Sequence, residues 1–232
     1  MSLRAKGYGL GIAMEDNGEK YFIKSILKSY RPKICFDIGA NIGEYSLLLN
    51  KNTNAKIYSF EPLAETFEKL KKATIDKNII CEKIALGSKT ERKTLYYNPK
   101  SSQKASLHRD MNKIHYVKND YKQVIKVLTL DEYVKKNKIK KIDLIKIDTE
   151  GNELEVIKGS LKTISNLKPT FIQIEMNWHS IFANYNLHDL SNFLKGYDVY
   201  QLLPTKLLKI DPTHPFSNFP IYSNFIFKKI NI

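Results

Sequence analysis

Two carboxylates stand where apolar, strand-like segments of this sequence end. Asp37 lies within the segment Phe36–Gly43, in which Gly39 permits a tight turn and Gly43 allows the next helix to pack closely. Glu61 closes the following apolar segment. Such a turn brings backbone N–H groups against a ligand, and a carboxylate at the second position can accept hydrogen bonds from both hydroxyls of a ribose.

The negative charge of Asp37 indicates which ligand the turn accepts. A dinucleotide diphosphate would be repelled, whereas a cationic amino-acid group would be attracted. A ligand with an ammonium group, a ribose and no phosphate satisfies both Asp37 and Glu61. S-adenosylmethionine has these three properties, and we therefore predict it as the cofactor.

A second group of charged residues belongs to the apolar segment 142–148 and the next strand. Lys146 falls inside a predicted central strand, where an ammonium group needs a carboxylate partner, either as an ion pair or beside a substrate contact. Asp148 and Glu150 follow at the carboxyl end, the edge at which open α/β sheets bind ligands. Glu175 ends the next buried strand and is a candidate for the same pocket. Alternatively, Asp148 and Glu150 only stabilise the N-terminus of the helix that follows.

These carboxylates suit methyl transfer to a hydroxyl, which must lose its proton as the methyl group moves. Residues 148–151 read Asp-Thr-Glu-Gly, without the polar-Pro-Pro-aromatic turn that holds an exocyclic amine. Methylation of a pyrimidine carbon needs an exposed cysteine, whereas Cys35 and Cys81 fall in apolar segments and are predicted to be buried free thiols. His179 and, in the insertion, His108 and His115 stay open as alternative bases, although a lone histidine is more often an incidental surface residue.

Apolar segments alternate with helical patterns along the chain, which is typical of parallel β-α units. Strands are predicted at about 33–38, 55–60, 79–85, 142–148, 170–176, 197–203 and 221–228. Helices are predicted at about 20–30, 43–51, 63–73, 129–138, 151–165 and 187–195. Only a Pro-rich segment separates the last two strands, so we expect the last strand to be antiparallel. The predicted fold is α/β, a doubly wound, mostly parallel seven-stranded sheet.

The 232 residues are predicted to form one main domain. Residues 1–30 are expected to be a partly helical N-terminal extension, and residues 31–232 a single domain with an insertion at about 88–127. The insertion has the pattern of a hairpin followed by a long loop, and we expect its segment from about Asn98 to Tyr121 to form a lid over the acceptor. No segment reaches the roughly 18 apolar residues that span a bilayer, and no secretion signal is evident, so a cytoplasmic protein is expected.

The formal net charge of +14 is spread along the chain. Only four of the 38 Lys and Arg residues are arginines, which are better suited than lysine to forked recognition of phosphate. We favour a solvated lysine surface over a nucleic-acid partner. An anionic partner, such as a phosphorylated or nucleotide-linked small molecule, stays open. No cysteine pair suggests zinc, and no metal site is predicted.

The sequence resembles the FkbM-type methyltransferases through five segments in the same order and at similar separations. These are Asp-Ile-Gly-Ala-Asn-Ile-Gly at 37–43, Phe-Glu-Pro at 60–62, Ala-Leu-Gly-Ser at 85–88, Thr-Leu-Asp at 129–131, and 142–153. The most specific part is Lys-Ile-Asp-Thr-Glu-Gly-Asn-Glu at 146–153. The resemblance covers about residues 33–177 and implies a class I methyltransferase fold, related to the Rossmann fold, and O-methylation of sugars or of secondary metabolites.

The resemblance implies that Asp37, Gly39, Asn41 and Glu61 line the cofactor site and that Ala85 and Leu86 neighbour the adenine. With the remaining turn residues, the predicted cofactor-binding set is Asp37, Gly39, Ala40, Asn41, Gly43, Glu61, Ala85 and Leu86. The predicted catalytic set is Lys146, Asp148, Glu150 and Glu175.

The predicted function is S-adenosylmethionine-dependent methylation of a hydroxyl on a carbohydrate-like or other small polyhydroxylated molecule. An RNA methyltransferase and a non-catalytic binding module that keeps the cofactor fold are the alternatives. A nicotinamide-linked oxidoreductase is disfavoured because Asp37 and Asn41 depart from a G-x-G-x-x-G turn.

Overall fold

The computed structural model of the chain describes residues 13–14, 16–115 and 117–230. Its strands, in chain order, are β1 Ile34–Ile38, β2 Lys56–Phe60, β3 Ile79–Glu82, β4 Ala85–Leu86, β5 Glu91–Tyr97, β6 Tyr121–Leu128, β7 Leu144–Ile147, β8 Phe171–Met176, β9 Tyr197–Leu203, β10 Lys206–Lys209 and β11 Ser223–Lys229. None of the helices within these ranges is long and apolar enough to cross a membrane.

The main sheet of the described chain has eight strands in the order β10-β9-β11-β8-β7-β1-β2-β3. The pairs from β8 to β3 are parallel, whereas β11 runs antiparallel to both β8 and β9. The predicted α/β class and the antiparallel last strand are therefore confirmed. The predicted number of seven strands is wrong, because β10 forms a hairpin with β9 inside the Pro-rich segment. Strand β10 reads Lys-Leu-Leu-Lys and contains no proline, because the prolines of this segment lie before and after it.

Helices cover both faces of the main sheet, as the predicted doubly wound arrangement requires. The first spans residues 19–30 in three pieces, Glu19–Tyr21, Phe22–Leu27 (a π-helix) and Lys28–Tyr30. The others are Glu44–Asn52, Ala64–Ala73, Leu130–Lys136, Glu153–Lys158, Leu161–Leu167, His179–Phe182 and Leu187–Phe193. Short 3₁₀ segments lie at Pro99–Lys104, Arg109–Lys113 and Pro215–Asn218.

The helix predicted at 151–165 is two helices in the structure, with a break after Gly159. The carbonyl oxygen of Gly87 approaches so closely that a Cβ on Gly159 would lie 1.9 Å from it. This contact fixes the start of the insertion against the helix that follows β7.

The insertion departs from the predicted hairpin followed by a loop. Strands β5 and β6 form the hairpin, and the long segment 98–120 lies between them. Strand β6 also pairs in parallel with β4, which ties the hairpin to the chain leaving β3. The apolar residues Ile125 and Val127 of β6 pack with Leu63 and Leu95, so the end of the predicted insertion is a structural strand.

A row of polar side chains crosses the centre of the main sheet. Ser59 of β2 lies opposite Asp37 of β1, Asp37 opposite Lys146 of β7, and Lys146 opposite Gln173 of β8. All four are buried, on the same face as the apolar cluster that contains Cys35 and the residues of the first helix. The parallel register therefore brings four polar residues, distant in sequence, into one row across the sheet, close to the carboxyl ends of the strands.

The close approach of the turn after β1 to Asp148 can be tested with two glycine variants. Gly39 has φ +86, and a Cβ there would lie 1.7 Å from the carbonyl oxygen of Asp148, whereas Gly196 has φ +91 with open space around it. Both alanine variants incur the left-handed backbone penalty of roughly 1–2 kcal/mol, but only Gly39→Ala also overlaps neighbouring backbone, at roughly 1–3 kcal/mol more. Urea unfolding should show the larger loss for Gly39→Ala. Equal losses in the two variants would contradict the close approach of the turn to Asp148.

Candidate active site

The carboxyl ends of β1, β2, β7 and β8 open into one cavity of about 520 Å³. This volume suits a small-molecule ligand. Ten of the twelve predicted site residues line it: Gly39, Ala40, Asn41, Glu61, Ala85, Leu86, Lys146, Asp148, Glu150 and Glu175. Asp37 and Gly43 do not. Asp37 lies beneath the cavity, and Gly43 packs against Leu70, whose Cδ1 a Cβ would approach to 2.7 Å.

The turn after β1 is held against the end of β2. The N–H groups of Gly39 and Ala40 donate to the carbonyl of Phe60, each at 3.0 Å. The Glu61 carboxylate accepts the N–H of Asn41 at 3.0 Å and that of Leu63 at 2.9 Å. The sequence Gly-Ala-Asn therefore folds back onto Glu61, and both ends of the predicted cofactor site become one rigid unit.

Two observations fit this unit to an adenosine ligand. Each oxygen of the Glu61 carboxylate accepts one N–H and keeps a lone pair for a ribose hydroxyl. The side-chain oxygen of Asn41 is buried and, among the described residues, has no hydrogen-bond partner. Ala85 and Leu86 add an apolar wall, and the Leu86 carbonyl is held by the Asn152 side chain at 3.0 Å.

Burial changes the pKa of the Glu61 carboxyl. Removal from water raises the pKa of its carboxyl from 4.5 to about 7, although the N–H groups of Leu63 and Asn41 oppose the shift. The carboxylate is therefore partly protonated near neutral pH when no ligand is present.

Three carboxylates from two strand ends converge at the other end of the cavity. One oxygen each of Asp148, Glu150 and Glu175 lies within 4.8 Å of the others. Burial and the negative charges of its neighbours raise the pKa of Glu175 well above its ordinary value. Such a group can accept hydroxyl protons or hold a hard divalent cation, and the absence of a metal site stays a prediction from the sequence.

His179 and Asn177 hold Glu150 in place. Nδ1 of His179 contacts Oε2 of Glu150, and the Asn177 amide donates to the same oxygen at 3.2 Å. Burial opposes the charge on His179, but the hydrogen bond and charge of Glu150 outweigh it and raise the pKa of the imidazole. Glu150 itself has φ +52, and its carbonyl accepts from the Ser106 hydroxyl at 2.7 Å. The inserted segment is thus tied directly to the acidic cluster.

Lys146 balances part of this negative charge. Its Nζ lies 2.9 Å from Oδ2 of Asp148 and 3.8 Å from Oδ1 of Asp37. Burial opposes the charge, but Asp148 and Asp37 outweigh it and raise the pKa of the ammonium group. The carboxylate partner that the sequence required for Lys146 is therefore present, and the same side chain also lines the cavity.

Asp37 contacts protein groups in the place where the sequence suggested a ligand contact. Its Oδ2 accepts from the Ser46 hydroxyl at 2.6 Å, and Ser46 lies 2.7 Å from the hydroxyl of Ser59. Burial raises the pKa of Asp37, with Lys146 and Ser46 opposing the shift. Its charge reaches the cavity through the electrostatic field and through Lys146.

Sequence patterns missed the contribution of the N-terminal segment. Glu19 is buried, lines the cavity and accepts from the Gln173 amide at 2.8 Å. The Asn17 amide donates to Glu19 at 3.1 Å and to the hydroxyl of Tyr222 at 2.9 Å, and Tyr222 donates to Glu175 at 3.1 Å. No periodicity precedes the first helix, so only the sequence Asn-Gly-Glu, a polar helix start, could have marked this segment.

The cysteines differ from each other in exposure. Both are free thiols, as predicted, but only Cys35 is buried, whereas Cys81 is half-buried near the hydroxyl of Thr74. Neither lines the cavity, which leaves no cysteine nucleophile at the candidate site.

A parallel sheet with an antiparallel last strand, a glycine turn after β1 and an acid after β2 defines a class I methyltransferase. Residues 37–199 match the methyltransferase FkbM domain, which is more than half of the chain. The protein belongs to this family, as the sequence motifs predicted. Its cofactor is S-adenosylmethionine.

Among curated proteins, the chain is 26% identical over 160 residues to the hexuronic acid methyltransferase AglP of Haloferax volcanii, covering 68% of this chain and 62% of AglP. The chain thus spans less than two thirds of that relative. Solved structures include a methyltransferase of Agrobacterium tumefaciens, at 9% identity and TM-score 0.47, covering 90% of this chain and 60% of that one. A putative rRNA-methylase of Clostridium thermocellum, at 13% identity and TM-score 0.44, covers 90% and 94%.

The raised pKa of Glu61 predicts how stability depends on pH. A folded-state pKa of about 7 against 4.5 stabilises the ligand-free protein below pH 4.5, and this contribution is lost as pH rises through 7. The loss is on the order of 3 kcal/mol. Relative to Glu61→Gln, which cannot titrate, the free energy of unfolding of the wild type should fall between pH 5 and 7.5, as measured in urea. The exposed Glu65→Gln should follow the wild type. Parallel curves for wild type and Glu61→Gln would rule out the shift.

Proposed function

We propose that this protein transfers the methyl group of S-adenosylmethionine to a hydroxyl of a carbohydrate-like small molecule. The observation that carries the proposal is the convergence of Asp148, Glu150 and Glu175 beside the turn that Glu61 holds. Membership of the FkbM family and the similarity to a hexuronic acid methyltransferase support it.

At the cofactor end of the cavity, five of the eight predicted cofactor-binding residues have a role. Bound S-adenosylmethionine supplies an activated methyl group on a positively charged sulfur. Glu61 accepts the ribose hydroxyls, the Asn41 side-chain oxygen accepts a further donor, and Ala85 and Leu86 pack against the adenine. Gly39 keeps the space beside the Asp148 carbonyl free of a side chain.

At the acceptor end, the carboxylates orient the hydroxyl and take its proton. Asp148 is the best placed, because its Oδ2 accepts from Lys146 while none of the described residues donates to its Oδ1. Glu150 is held by His179 and Asn177, so this pair serves as a second proton acceptor and as a fixed wall. Positioning should supply most of the rate, and a general base about 10²–10⁴-fold.

The sugar acceptor fits the chemistry of this end. Ionised carboxylates only accept hydrogen bonds, and a sugar presents several hydroxyl donors at once.

We further propose that residues 31–232 act as one methyltransferase domain and that the segment from about Asn98 to Tyr121, within the insertion at 88–127, forms a lid over the acceptor. The contacts of Ser102, Lys104 and Leu107 with the cavity support this role. The hydrogen bond from Ser106 to Glu150 links the lid to the acidic cluster.

Asp148→Asn tests the role of the central acid. The variant should lower turnover by about 10²–10⁴-fold because a proton acceptor is lost. Its affinity for S-adenosylmethionine, measured by calorimetry, should stay within about tenfold, or 1.4 kcal/mol. Asp198→Asn is the matched control, since Asp198 also pairs with a lysine at 2.9 Å, on β9. Turnover of Asp148→Asn within tenfold of the wild type would remove Asp148 from the reaction.

A product screen tests the reaction itself. The protein is incubated with methyl-labelled S-adenosylmethionine and, separately, glucuronic acid, glucose, a nucleotide-linked glucuronic acid, spermidine and a transfer RNA transcript, with mass-spectrometric detection. Label on a sugar hydroxyl is the expected result. Label on an amine or a nucleobase with none on a hydroxyl would overturn the proposal. Cofactor binding with no label on any acceptor would favour the non-catalytic module.

A further inference from the structure

The only tryptophan of the chain stands at the rim of the cavity. Trp178 is 46% exposed. Within the described residues, its ring stacks on no other aromatic ring and its indole N–H donates no hydrogen bond. Tryptophan is highly buried on average, and ligand cavities are lined mainly by hydrophobic and aromatic side chains.

The position of Trp178 is fixed by its neighbours. The Asn177 side chain accepts the N–H of His179 at 2.8 Å, and the Ser180 hydroxyl donates to the Asn177 carbonyl at 3.0 Å. The residues before and after Trp178 both contact Oε2 of Glu150. The indole is therefore attached to the backbone turn whose side chains hold Glu150.

We propose that Trp178 is the platform on which the acceptor sugar stacks, and that it determines specificity for a pyranose ring. This inference rests on the proposed function and names the substrate contact within it. A pyranose has an apolar face of C–H groups and an edge of hydroxyls. The indole covers the face, and Asp148, Glu150 and Glu175 accept from the edge, so two neighbouring strand ends supply both halves of the recognition.

The surroundings favour a sugar over a nucleobase, although both can stack on tryptophan. A nucleobase edge carries hydrogen-bond acceptors as well as donors, and carboxylates can pair only with the donors. A pyranose brings hydroxyl donors instead. The free indole N–H can donate to a ring oxygen or to a carboxylate of the sugar.

A single tryptophan makes this proposal directly observable. The protein saturated with S-adenosylhomocysteine is titrated with methyl β-D-glucuronide, methyl β-D-glucoside and uridine while tryptophan emission is recorded. Stacking should move the emission maximum to the blue in a saturable way with a glycoside. A saturable change with uridine but with neither glycoside would overturn the assignment to a sugar.

The matching variants separate stacking from structure. Trp178→Ala should raise KM for the acceptor sugar about tenfold, which is the effect of losing one aromatic stack. The kcat and the cofactor affinity should stay within about twofold of the wild type. Trp178→Phe should keep most of the affinity. Phe219→Ala is the control, because Phe219 is 45% exposed but lies outside the cavity.

The two hypotheses fail in different ways. Methylation of a sugar hydroxyl with unchanged emission at saturating glycoside and an unchanged KM in Trp178→Ala would remove the platform and leave the reaction standing. Label found only on amines or nucleobases would remove the sugar reaction, and the platform with it. Retained affinity for S-adenosylhomocysteine in Trp178→Ala shows that the variant is folded.

Discussion

One buried ammonium group organises the centre of this protein. Lys146 lies in β7, an interior strand of the main sheet, between Asp37 on one side and Gln173 on the other, and its Nζ contacts Asp148 at the strand end. The buried carboxylate of Asp37 and the half-buried carboxylate of Asp148 would be costly beside an apolar core without this cation, and the cation would be costly without them. The strand order produces this arrangement, because residues 37, 146 and 173 lie side by side only when β7 pairs with both β1 and β8.

A single ammonium does not balance the charge at this edge of the sheet. The carboxylates around the cavity and beneath it are Glu19, Asp37, Glu61, Asp148, Glu150 and Glu175. Burial raises the pKa of Glu19, Asp37, Glu61, Glu150 and Glu175, which is the response of acids that lack enough positive charge nearby. S-adenosylmethionine carries a sulfonium and an ammonium group. The excess of acid therefore gives a physical reason for the cofactor, through the field of the whole edge more than through contact with Asp37.

Much of this could be predicted from sequence because it depends on local patterns. The strand ends that carry Asp37, Glu61, Asp148 and Glu175 follow apolar segments, and parallel strands bring such ends to one edge. Features that depend on long-range packing were not predictable. Glu19 reaches the site only because the first helix packs on the sheet, and β10 is too short to show alternation. Nothing in the sequence around Trp178 indicates that its ring stays exposed.

The central claim is that the acidic edge faces the sulfonium methyl group. A crystal structure with sinefungin, in which an ammonium-bearing carbon replaces the methylated sulfur, tests it most directly. The account predicts the ribose hydroxyls on Glu61 and the added ammonium within hydrogen-bonding distance of Asp148, Glu150 or Glu175. An added ammonium that points away from all three carboxylates, or a ribose that does not contact Glu61, would contradict it.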